Sequence, residues 1–209
     1  MVYIKRKKNR YYKNHYLVQG GLVMKRLLGL ILCVMLLTGC GKKGGDLDLA
    51  LQFRQRLLSG VGCQFISEIT ADYGDIIYQF SMECQGDRQG NLSFSVTAPE
   101  SIFGITGAIT DTGGHLTFEG TALAFAPIAD GQVTPVTAPW LFLKTLRSGY
   151  IASCAKVDGG TYLQIDDSYK DRALHLDIWL NESGMPVRGE ILWEGRRVLS
   201  INVKDFTIL

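Results

Sequence analysis

The residues of this 209-residue chain whose types could do chemistry are five cysteines, three histidines and the carboxylates Asp166, Asp167 and Asp171. A thiolate can attack, ligate or pair; an imidazole can move a proton or hold zinc; two convergent carboxylates can share acid and base work. Spacing removes most of these options. His15, His115 and His175 are isolated, without the H-E-x-x-H spacing of a zinc site, and His115 is expected in a solvated turn. The chain has no C-x-x-C, no G-x-S-x-G elbow and no phosphate-binding glycine loop. Asp166 and Asp167 are adjacent on an expected strand, so their side chains leave opposite faces and cannot serve one bond. Cys154 has no histidine or basic residue placed by sequence to activate it. The expectation is therefore a protein that is not an enzyme, with no catalytic residues, no metal and no cofactor.

Cys40 is different because of what precedes it. Met24-Lys25-Arg26 leads into the apolar run 27–37, which closes on the small residues Thr38 and Gly39. Basic start, short apolar core and small-residue end are the three parts of a secretory signal. Eleven residues are too few for a membrane-spanning helix, which needs about 20. Leu37-Thr38-Gly39-Cys40 resembles the bacterial lipobox, in which the Cys receives diacylglycerol through its sulfur and becomes the mature N-terminus. The resemblance implies a covalent diacylglycerol on Cys40 and a domain tethered to the extracytoplasmic face of the cell membrane. Two acyl chains satisfy the condition for stable anchoring that one alone does not.

Residues 1–23 carry the basic run Lys5-Arg6-Lys7-Lys8 with Arg10, interleaved with Tyr3, Tyr11, Tyr12 and Tyr16. They are read as an over-extended N-terminus upstream of a start at Met24, and residues 24–39 as the signal peptide. Residues 1–39 hold eight of the 22 Lys and Arg and none of the 20 Asp and Glu, which leaves 14 against 20 and a net charge of −6 downstream. An acidic domain is a poor partner for nucleic acid or for an anionic bilayer surface, since both select for basic patches. Residues 40–45 read as the lipidated Cys and a flexible tether, and residues 46–209 as one domain large enough for a real core.

Asp46 is placed to cap a helix ending before Gly60. Its expected packing stripe holds Leu47, Ala50, Leu51, Phe53, Leu57 and Leu58, and Arg54 falls inside it. A snorkelling arginine at the stripe's edge is the preferred reading of Arg54, a buried head-group contact the alternative. From Val61 the period changes to two. A two-residue Tyr73-Gly74 loop would close a hairpin at Asp72 and Asp75, with Ala71, Ile69, Ser67, Phe65 and Cys63 facing Ile76, Tyr78, Phe80, Met82 and Cys84. Cys63 and Cys84 would then meet at a non-hydrogen-bonded pair about 4.5 Å apart at Cα, within reach of a disulfide in an exported protein. Two small buried thiols are the alternative.

Short strands follow over 91–98, 105–110, 116–119 and 122–126, then 149–157, 161–167, 173–181, 187–193 and 197–206. Each carries one apolar face, as in Leu174, Leu176, Ile178 and Leu180, so they belong to a single sheet covered on one side. Between the two groups, Pro139 opens a helix to Ser148 whose Trp140, Leu141, Phe142, Leu143 and Leu146 lie nearly all round. Such a helix needs cover on more than one side: as an ordinary core helix, inside a curved sheet, or over a ligand. Phe53, Trp140, Phe142, Leu143, Leu146, Trp179 and Trp193 are the candidate cavity residues, although tryptophans of this kind also serve as plain core.

An amphipathic helix, a long meander, a proline-flanked apolar helix and a closing run of strands together resemble the LolA/LolB-like superfamily of lipoprotein carriers and its Gram-positive relatives. The stretches that carry the resemblance are 80–99, ending Leu92-Ser93-Phe94-Ser95-Val96-Thr97-Ala98-Pro99, and the strand-turn-strand 105–120. What it implies is an α+β fold: an antiparallel, curved half-barrel with the N-terminal and mid-chain helices on its concave face, which binds acyl chains of lipid or lipoprotein without chemistry. A lipobox departs from the soluble carriers and points to an anchored acceptor or to Gram-positive relatives, among them germination-type lipoproteins that partner other exported proteins. An anchored interaction module with no lipid ligand is accordingly the second reading.

Overall fold

A computed structural model describes residues 44–129, 132–168 and 174–209. Cys40 and its neighbours, His15 and Asp171 lie outside the described residues. Helix α1 (Gly44–Ser59) opens the domain. Six strands follow: β1 (Gly62–Asp72), β2 (Ile77–Asp87), β3 (Leu92–Ala98), β4 (Thr106–Thr110), β5 (Gly113–Phe118) and β6 (Thr121–Phe125). A two-strand ribbon of β7 (Ile128–Ala129) and β8 (Gln132–Val133) leads through a short 3-10 turn into α2 (Ala138–Ser148). The second group is β9 (Tyr150–Val157), β10 (Gly160–Asp166), β11 (His175–Asn181), β12 (Pro186–Trp193) and β13 (Arg196–Ile208).

Eleven of the strands form one antiparallel sheet in the order β6-β5-β4-β3-β2-β1-β13-β12-β11-β10-β9. Two meanders are thus joined at the centre, where β13 pairs with β1, and β6 and β9 are left as the edges. The sheet curves because extra residues are inserted at five pairings; against β13, for example, Asp205 and Phe206 together oppose Phe65. A bulge bends its strand and increases local twist, and Asp205 takes the left-handed backbone conformation, φ 53°, to make this one.

The alternation read from the sequence holds along β1, the second half of β2, β10 and β11, and is lost on β9. Cys63, Phe65, Ser67, Ile69 and Ala71 of β1 face inward and are buried, as are Leu176, Ile178 and Leu180 of β11. Both helices lie on this face: Phe53 of α1 meets Phe206 edge-on at 5.7 Å, and Phe206 stacks on Phe65 at 5.2 Å.

Three expectations are corrected. The first turn holds four residues, 73–76, because Asp72 Oδ1 accepts the Gly74 N–H at 2.8 Å and Asp72 pairs with Ile77. The register therefore moves by two residues. Cys63, Phe65, Ser67, Ile69, Ala71, Met82 and Cys84 stay inward while Ile76 and Tyr78 are exposed, and Cys63 now faces Gly86 and Cys84 faces Phe65. Diagonal neighbours are about 7–8 Å apart, too far for a disulfide, and Cys63 and Cys84 are both buried free thiols. In α1 the buried stripe is only Ala50, Phe53 and Leu57; Leu47, Leu51 and Leu58 are exposed, and the helix starts at Gly44, inside the expected tether. Finally, His115 lies within β5, paired across to Ala108 and Ala124, and not in a turn.

Candidate binding cavity

Helix α2 is buried over Ala138–Leu143 and again at Thr145 and Leu146. Two glycines on the sheet make room for it. A Cβ on Gly189 would stand 2.6 Å from the Phe142 ring, and one on Gly86 would stand 2.5 Å from Leu143 Cδ2. Polar contacts fix its height: Trp140 Nε1 donates to Gly90 O at 3.2 Å, Lys144 Nζ reaches Asp111 at 2.7 Å, and Arg147 Nη2 donates to Arg88 O at 2.7 Å.

Arg54 resolves in favour of the buried contact and against the snorkelling side chain. Its Nε donates to Leu146 O at 2.7 Å and Nη2 to Thr145 O at 3.4 Å, so the guanidinium supplies a donor to the Leu146 carbonyl in the last turn of α2, while Thr145 O also accepts the Gly149 N–H at 2.8 Å. Burial pulls its pKa below the usual arginine value.

Of the candidate cavity residues, Phe53, Trp140, Phe142, Leu143 and Leu146 are packed in the core. Trp179 sits on the outer face, tilted against Tyr162 at 5.2 Å and covered by Arg188 at 4.8 Å, and Trp193 is half-buried against the core. None of the seven lines the open cavity between the turn 73–76 and the segment 133–136. The helices plug one side of the half-barrel, and the open space lies elsewhere.

That space is a cavity of about 710 Å³ enclosed by Tyr73, Phe80, Val96, Ile105, Leu116 and Val136 among others. Its roof comes from the four-residue turn 73–76 and from the segment 133–136, joined by Tyr73 Oη donating to Val133 O at 2.5 Å. Desolvation is the main reason the Tyr73 phenol is pushed up from its ordinary pKa, with Tyr78 next. Asp75 is the one charged residue of the lining. Ile76 and Tyr78 at the mouth, with Ile77 and Phe103 next to lining residues, are all exposed. Volumes of 300–1,000 Å³ with mostly apolar walls are usual for small-molecule sites.

The lining was missed in the sequence because its residues come from five separate stretches, and the signal that could have found them is the pair Tyr73 and Tyr78 flanking an unusually apolar turn, Ile76-Ile77. Acid–base geometry is sparse. His175 Nδ1 and Asp166 Oδ1 are 2.5 Å apart on the exposed ends of β11 and β10, so His175 is partnered and not isolated. Asp167 Oδ1 accepts the Leu174 N–H at 2.9 Å. Among the described residues no group of three or more His, Cys, Asp or Glu is placed to hold a metal.

No family model matches the sequence, and no curated protein matches it. Solved structures similar to the chain include an uncharacterised conserved protein from Thermus thermophilus, at 10% identity and TM-score 0.44 over 78% of this chain and 86% of that one. A LolA superfamily protein from Nitrosomonas europaea is similar at 10% identity and TM-score 0.43, over 78% and 93% of the two chains. The lipoprotein LppX from Mycobacterium tuberculosis is similar at 10% identity and TM-score 0.37, over 78% and 96%. Likeness at this level decides nothing about ligand or partner. The strands and helices themselves form the α+β arrangement that was expected, an antiparallel half-barrel open along its two edge strands with both helices on its covered face.

Proposed function

We propose that the chain is an exported lipoprotein, held by a diacylglycerol on Cys40 at the extracytoplasmic face of the cell membrane, that takes an acyl chain of a lipid or lipoprotein into the half-barrel cavity without chemical change. The observation that carries the reading is the open apolar cavity of about 710 Å³ between the turn 73–76 and the segment 133–136. Burying apolar surface at roughly 25 cal/mol per Å² is sufficient drive for such binding. The lipobox residues Leu37, Thr38, Gly39 and Cys40 support the anchor. Native mass spectrometry of the protein extracted from membranes tests both parts. The expected spectrum has a diacylglycerol mass on Cys40, lost in Cys40→Ser, and a second, dissociable lipid. A protein that never retains lipid and does not quench a fluorescent acyl probe is not an acyl-chain binder.

A second reading rests on strand β6. It is a sheet edge, Thr121–Phe125, that carries neither a charge nor a proline, and Leu123 on it is exposed. Edges left without such guards accept another strand. An exported protein partner pairing there would be lost in Ala122→Pro while acyl-probe binding is kept.

A further inference from the structure

Helix α1 has a second apolar face that the domain does not use. At about 100° per residue, Leu47, Leu51 and Leu58 fall within roughly 40° of arc, beside the buried stripe of Ala50, Phe53 and Leu57. They are 38%, 45% and 46% exposed. Just past the end of the helix, Val61 and Leu209, joined by a Val61 N–H to Leu209 O bond of 2.9 Å, are also exposed. On the same wheel Gln52 lies about 120° and Arg56 about 160° from the centre of the leucine face, and both are exposed. From Leu47 to Leu58 the stripe runs about 16 Å along the axis, which suits a helix lying flat on a surface rather than inserting end-on.

Chain length states what that surface is. Three residues, Gly41, Lys42 and Lys43, separate Cys40 from the first residue of α1. Fully extended, the four steps from Cys40 to Gly44 reach about 14 Å. The headgroup layer of a leaflet is itself roughly 5–8 Å deep, so a lipidated Cys40 holds the start of α1 at or within the interface. Lys42 and Lys43 add the positive charge that attracts anionic headgroups.

We infer that the Leu47, Leu51 and Leu58 face of α1 is a membrane-docking face, seated in the outer leaflet that holds the Cys40 diacylglycerol. The inference rests on the anchored reading above. It makes α1 a second contact with the bilayer besides the acyl chains, and it fixes the orientation of the half-barrel on the membrane.

The test uses the full chain, processed in a bacterial host and returned to vesicles of phosphatidylcholine and phosphatidylglycerol. In a Cys154→Ser background, Leu51→Cys and Gln52→Cys are each labelled with an environment-sensitive fluorophore, with Leu58→Cys as a second apolar-face position. Unchanged thermal melts establish that the variants fold. A headgroup nitroxide lipid should quench the labels at 51 and 58 several-fold more than the label at 52. Equal quenching, in protein whose mass includes diacylglycerol, overturns the docking face and leaves the anchor standing. Crosslinking between two copies at position 51 also overturns it, because the occupant is then a second chain. A mass without diacylglycerol overturns both this inference and the anchored reading.

Discussion

Arg54 shows what a single side chain does when its environment is set by another element. Its guanidinium adds donors to the C-terminus of α2, contacting the carbonyls of Thr145 and Leu146. Arg54→Met keeps the stem and removes the donors. Hydrogen bonds from a charged group are worth about 1.5–3 kcal/mol, and the partly buried site places the loss toward the lower end, about 1.5 kcal/mol in a urea melt. Arg54→Lys should recover only part of it, since an ammonium cannot span both carbonyls. The wheel placed Arg54 in the packing stripe but could not identify its partner, which lies 92 residues away. The thiols make a second residue-scale prediction. Burial pushes Cys63 up to about 11 and Cys84 higher still. At pH 9 an ordinary thiol is about half ionised and Cys63 about one per cent, so native-state alkylation of Cys63 should be on the order of fifty-fold slower than after unfolding. The native state holds these protons longer than the unfolded chain. Their contribution to stability is complete below the ordinary thiol pKa and is lost as pH rises toward the folded values, so denaturation midpoints should fall across pH 9–11. Rapid alkylation of both in native protein would contradict the buried register.

At the scale of elements, α2 and the sheet beneath it fit through the absence of side chains. Gly189 sits under the ring of Phe142. Gly189→Ala should therefore cost about 1–3 kcal/mol by overpacking, and Phe142→Leu should restore part of that cost when combined with it, although Phe142→Leu alone is destabilising. Thermal melts of the four proteins measure the coupling, and strictly additive losses would mean that Gly189 does not seat the helix. Helix α2 itself was legible: Pro139 at its start and apolar residues all round told both its limits and its need for cover. What was not legible was which of three covers it has. The α2 residues named for a cavity are the ones that fill the core, because a helix apolar on every side occupies space instead of lining it. The hairpin told the opposite story. Its inward face was right and its loop was two residues too short, since the Asx contact from Asp72 competes with a tight turn in a way that Asp-Tyr-Gly-Asp alone does not reveal.

For the whole molecule, period-two alternation was enough to give one sheet with one covered side, and it held on β1, β2, β11 and β13 alike. The cavity could not be read because it is a gap left between the turn 73–76, Val96, Leu116 and the segment 133–136, and patterns report side chains present. A gap left in a core is a stability cost that a binding function accounts for. Val96→Phe, directed into it, should raise the melting temperature of the ligand-free protein by a few degrees and weaken acyl-probe binding at least several-fold. A variant that is stabilised yet binds as before would place the ligand elsewhere. Strand β13 carries one more consequence. It is the last of the described strands in sequence, and it stands in the middle of the sheet, between β1 and β12. During synthesis, β1–β6 and β9–β12 emerge as two separate ribbons, with the inner edges of β1 and β12 bare until Arg196–Ile208 arrives to zip them. The domain is thus completed from its centre and at the last moment, and until then its most aggregation-prone surface is its own unfinished middle.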